Sequence, residues 1–68
     1  MNAREYLDKH GKEKAEAMAK TAGTNLAYFS QIAAGVRRPS VNLAQRLVAA
    51  SNGELDFVAL LTAKNNAA

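Results

Sequence analysis

A chain of 68 residues without cysteine has room for one modest core, burying about 60% of the surface its unfolded chain exposes, and has neither a disulfide nor a thiolate zinc site to staple it. No apolar run approaches the roughly 20 residues that span a bilayer, and the opening "MNAREYLDKHGKEK" lacks the apolar block of a signal peptide, so a single cytoplasmic domain over residues 1–68 is expected. The net charge of +3 is mild, but no acidic residue falls between Glu16 and Glu54, whereas Lys20, Arg37, Arg38 and Arg46 do, with Lys9, Lys12 and Lys14 just upstream; such one-sign segregation points to a polyanion partner or else to a solvated basic face.

Taken in chain order, the pattern predicts helices and nothing else. Asn2 caps a first helix to about Lys9 with Tyr6 and Leu7 turned inward, and "HG" at 10 and 11 ends it. A second helix spans about Lys12 to Ala22, where Ala15, Met18, Ala19 and Ala22 recur at three- and four-residue spacing as a narrow apolar stripe that Gly23 stops. Thr24 or Asn25 caps a third helix with Phe29, Ile32 and Ala33 inward, closed by Gly35. Pro39 excludes helix upstream, and Ser40 caps a fourth to about Ser51 through Val41, Leu43, Ala44, Leu47 and Val48. After "SNG", a fifth helix from about Asp56 carries Phe57, Val58, Leu60 and Leu61, and the tail at residues 64–68 is expected to fray. With no period-two alternation and no repeat, the fold class is all-α: a compact bundle of about five short helices.

Small residues say how the second and third helices meet. Ala at 15, 17, 19 and 22, Gly at the break, and bulky Phe29 and Ile32 beyond it let two axes cross closely and steeply, as in a helix-turn-helix over about residues 12–34. Residues 19–50, "AKTAGTNLAYFSQIAAGVRRPSVNLAQRLVAA", resemble the DNA-binding proteins of the phage Cro and CI repressor type. The likeness rests on the register of Ala19, Gly23, Phe29, Ile32, Gly35, Arg37 with Arg38, Pro39 and Ser40. Ala15 stands where that family often has Gln, and Leu26 where it usually has a polar base reader. The ending "AASNGEL" is similar, more loosely, to YdaS-like prophage regulators.

The chemistry of residues 22–40 reads the same way without the family. A helix fits the major groove, where a neutral Asn or Gln reads adenine in bidentate fashion. Asn25 and Gln31 are the candidate amides, although Asn25 also suits a helix cap and Gln31 also suits plain solvation. Leu26 and Ala27 suit thymine methyls, and Ser30 a base or a phosphate. Phosphate candidates are Lys12 and Lys14, unless Glu13 and Glu16 compensate them locally, together with Arg37, Arg38 and the helix N-terminus at Ser40. Tyr28 offers its hydroxyl to the backbone or lies half-buried on the second helix. Phe57, Val58, Leu60 and Leu61 spread apolar surface around the fifth helix, which suits a dimer interface or the core.

His10 stands alone without metal-ligand spacing, and no nucleophile set, paired carboxylates or phosphate loop is present, so no enzyme activity, metal, cofactor, small-molecule ligand or membrane partner is expected. The expected partner is double-stranded operator DNA bound by a homodimer, with half-sites about 34 Å apart. The resemblance implies a phage or prophage repressor. The alternatives are a YdaS-like toxin-antitoxin component and a helical protein-interaction module that never meets DNA.

Overall fold

Asn2 and Glu5 have the spacing of a capping box, and both halves of it form. Asn2 Oδ1 accepts from the Glu5 N–H at 2.8 Å, and Glu5 Oε1 accepts from the Asn2 N–H at 2.9 Å. The structure, a computed structural model of the chain, describes residues 1–62, so the expected fraying at 64–68 lies outside the described residues. From the Asn2 cap, α1 runs Ala3–Thr21 as one element instead of the two expected. The expected break is nonetheless there: Gly11 sits inside α1 at φ +85° and ψ 172°, outside helical space, and divides it into two arms.

α2 (Leu26–Ala33), α3 (Val41–Ala50) and α4 (Phe57–Thr62) follow, so the described residues form four helices and no strand. Asn25 caps α2 by accepting from the Tyr28 N–H at 2.8 Å, and Ser40 caps α3 by accepting from the Leu43 N–H at 3.1 Å. α1, α2 and α3 end alike, each with a left-handed residue just beyond the cap: Gly23, Gly35 and Asn52. At the first of these, the Gly23 N–H returns to Lys20 O at 3.0 Å and the Thr24 N–H to Ala19 O at 2.9 Å, which satisfies carbonyls the helix leaves open.

Tyr6, Phe29, Leu47, Leu55 and Leu60 are the largest fully buried side chains, and the Tyr6 and Phe29 rings meet edge to face at 6.1 Å. Of the alanines expected at the crossing, Ala15, Ala19 and Ala22 are inside, but Ala17 is exposed, because it lies on the outer face of α1; with Ala44 of α3 also covered, these small residues let α1 lie close to α2 and α3. Val41 does not join them. It is 55% exposed, because the first turn of α3 emerges from the 36–40 loop before the helix reaches the core at Leu43.

The loop between α3 and α4 is fastened from two directions. Ser51, a buried polar residue, donates its hydroxyl to Val48 O at 2.9 Å and accepts from the Leu55 N–H at 3.0 Å, which delivers Leu55 into the core. The Met1 ammonium donates to Glu54 O, and the Asp56 N–H donates to Met1 O, each at 2.8 Å. Asp56 also accepts from the Ala59 N–H at 2.9 Å, which starts α4.

Candidate nucleic-acid interface

α2 is held against α1 by Phe29 and Ile32, which are buried, while Leu26, Tyr28, Ser30 and Ala33 are half-buried. Only Ala27 and Gln31 of this helix are exposed. They stand four residues apart on one face, so the outward side of α2 is small and neutral, with Gln31 as its one exposed hydrogen-bonding side chain. Leu26 leans on the core, which draws much of its side chain away from any surface partner. Asn25 is exposed, but its Oδ1 is committed to capping α2.

The turn that carries α2 depends on backbone conformation more than on space. A Cβ placed on Gly23 would meet only Arg46 Nε, at 3.7 Å, an ordinary contact, whereas the φ of +89° is one that side-chain-bearing residues resist. Arg46 is a structural residue here. Its Nε donates to Ala22 O at 2.8 Å and ties α3 to the end of α1 beside that turn.

Beyond α2, the chain folds back so that Arg37 returns to the helix it has left. The Val36 and Arg37 N–H groups both point to Gln31 O, at 3.0 and 3.3 Å. The Arg37 side chain then donates from Nε to Gln31 Oε1 at 2.7 Å and places its guanidinium 5.0 Å from the Tyr28 ring centre. A guanidinium over a ring near the surface contributes roughly 0.5–1 kcal/mol, and together with the hydrogen bond it restricts a side chain that would otherwise sample many rotamers. Three of the expected contact residues, Tyr28, Gln31 and Arg37, are thus one cluster. Tyr28 is half-buried against the core, with the Arg37 guanidinium over its ring. Arg38 is exposed and makes no ion pair among the described residues. Val36 stands beside the pair at 76% exposure.

The two lysines separate from this group. Lys12 and Lys14 are exposed just after the Gly11 kink, and neither is paired with Glu13 or Glu16; Glu16 instead meets Lys20 at 3.7 Å. Lys14 borders a cleft with Thr21, Ser51, Asn52 and Glu54, away from the Arg37 cluster, and its charge acts on the Glu54 carboxylate. That carboxylate is the hub of a second cluster. His10 Nε2 lies 2.7 Å from Glu54 Oε1, Lys9 Nζ lies 3.9 Å away, and the Tyr6 and His10 rings are 4.5 Å apart. The His10 hydrogen bond holds the Glu54 carboxyl below the usual carboxylate range against an opposing desolvation, with help from the His10, Lys9 and Lys14 charges. Burial, and then the nearby Glu54 charge, push the Tyr6 phenol up.

On α4 the expected interface divides. Leu60 is only 1% exposed and belongs to the core, because it faces inward from a helix of one and a half turns. Phe57 and Leu61 are half-buried against the core, and Val58 is 62% exposed. Among the described residues no group of three His, Cys, Asp or Glu side chains is placed to hold a metal, and no helix is long and apolar enough to cross a membrane. The chain matches no protein-family model, no curated protein and no solved structure.

Proposed function

We propose that the chain is a sequence-specific DNA-binding regulator of the phage Cro and CI repressor type. The second arm of α1, the turn through Gly23 and α2 form its helix-turn-helix, with α2 entering the major groove. The observation that carries this reading is the outward side of α2: a neutral face of Ala27 and Gln31, bordered by Arg37 and Arg38, inside a stretch from residue 17 to 53 that contains no acid. A groove-reading helix needs small or amide-bearing residues facing base edges and cations at its borders facing phosphates. Repression then follows by occlusion of a promoter.

One such helix reads only a few base pairs, so two copies on a two-fold site are required for useful specificity. The exposed Val58, with half-buried Phe57 and Leu61, gives α4 an apolar edge suited to a second copy of the chain.

Titration of a duplex at two salt concentrations tests the proposal. Binding should weaken steeply with salt, and a selected site should take up two chains. Absence of duplex binding at low salt would favour the protein-interaction reading instead.

A further inference from the structure

Two arginines stand at opposite ends of α2, and both are anchored the same way. Beyond the C-terminal end of the helix Arg37 donates its Nε–H to Gln31 Oε1 at 2.7 Å, and before the N-terminal end Arg46 donates its Nε–H to Ala22 O at 2.8 Å. A guanidinium carries five N–H donors in a planar fork. Each anchor takes one of them, and the terminal nitrogens of both forks make no hydrogen bond or ion pair among the described residues. Both residues are exposed. Arg46 comes to this place from α3, and its Nε lies 3.7 Å from where a Cβ on Gly23 would stand, so its fork sits at the turn that leads into α2. Any neutral donor would serve to hold a carbonyl. The tie to Ala22 O therefore accounts for one N–H of Arg46 and leaves its charge unanswered, inside a stretch from residue 17 to 53 without an acid.

Resting on the reading of α2 as the groove-facing helix, we propose that Arg46 is a phosphate-binding residue, which meets the DNA backbone at the N-terminal end of α2 as Arg37 and Arg38 meet it at the other. Eight residues of helix are about 12 Å long, which matches the width of the major groove, so cations at the two ends are spaced to reach the two phosphate strands that wall it. The planar fork suits two oxygens of one phosphate, and the Nε anchor restricts the side chain before DNA arrives, so less freedom is lost on binding.

The experiment titrates the whole chain with a random-sequence duplex at several salt concentrations, comparing the wild type with Arg46→Gln and Arg38→Ala, and follows folding by circular dichroism. Arg46→Gln should lower the melting temperature, because the anchor on Ala22 O is lost, and should also reduce the slope of log affinity against log salt by about one unit. A purely structural tie moves the first reading and not the second. A folded Arg46→Gln with the wild-type slope, beside an Arg38→Ala whose slope has dropped, overturns the proposal and leaves DNA binding standing. A wild type that binds no duplex at low salt removes the DNA reading and this residue's role with it. Where Arg46→Gln does not fold, the wild type decides the matter: phenylglyoxal, which modifies free guanidinium groups, should label Arg46 in the free chain and lose that labelling when duplex saturates it, and labelling unchanged by duplex overturns the contact.

Discussion

Among the described residues the ion pairs gather on one flank of the molecule, where Lys12 and Lys14 nonetheless stay outside them, and none forms on the other. Along α1 and the 51–56 loop, Arg4 meets Asp8 at 3.4 Å, Lys20 meets Glu16 at 3.7 Å, and Lys9 and His10 meet Glu54 at 3.9 and 2.7 Å. Around the end of α2, Arg37 is bonded to a neutral amide and Arg38 makes no ion pair among the described residues. Exposed ion pairs contribute only about 0–1 kcal/mol each, so the difference between the flanks is not one of stability. It concerns the field outside the protein. Paired charges cancel within a Debye length of about 8 Å, while unpaired arginines project a positive potential toward whatever approaches α2.

The largest expected effect comes from the turn that sets this flank. Gly23→Val forces a β-branched residue to φ +89°, which should cost about 2 kcal/mol and lower the melting temperature by about 10 °C. Crowding adds little, since the nearest atom is Arg46 Nε at 3.7 Å. An unchanged thermal melt would show that the left-handed turn is not what places α2.

A smaller effect separates the two flanks directly. Arg38→Ala should reduce the slope of log affinity against log salt by about one unit, as expected when one phosphate is no longer neutralised, with stability unchanged. Lys20→Ala removes a cation already answered by Glu16 and should leave that slope nearly unaltered. Equal slopes for the two variants would mean that pairing within the chain does not decide which cations meet DNA.

How much of this was legible in the sequence depends on the range of the interaction. The Asn2 and Ser40 caps, the kink at Gly11, the left-handed Gly23 and the Ala stripe act within a turn or two, so residue type and spacing reveal them. The exposure of Ala27 and Gln31 follows from helical period once Phe29 and Ile32 are taken as inward. Arg46 on Ala22 O and His10 on Glu54 join residues 24 and 44 apart, and no local pattern announces them. Leu55 enters the core only because Ser51 turns the loop, and Leu60 is interior because that side of α4 lies against the bundle. The Arg37–Gln31 bond is intermediate. It spans six residues and needs the chain to reverse at Gly35, and that reversal was legible while its consequence for hydrogen bonding was not.

The smallest effect belongs to the flank that holds the ion pairs and is read by pH. The Glu54 carboxyl is lowered in the folded chain, first by its hydrogen bond from His10, so between its ordinary value of about 4.3 and the lowered one the unfolded chain binds more protons than the folded chain. Stability from this group is therefore fully present above the ordinary carboxylate range and is lost as pH falls through the folded value. Glu54→Gln keeps the shape and removes the charge. Its melting temperature should lie slightly below that of the wild type at pH 6, and the two should converge as the solution is acidified below the lowered folded value. Under the proposed DNA reading the base ranking should not move, because Glu54 pairs with His10 and Lys9 of α1 and not with the exposed α2 residues Ala27 and Gln31. A gap that persists unchanged at low pH would show that Glu54 acts through packing and not through its charge, and a change in base preference would show that the two flanks are coupled.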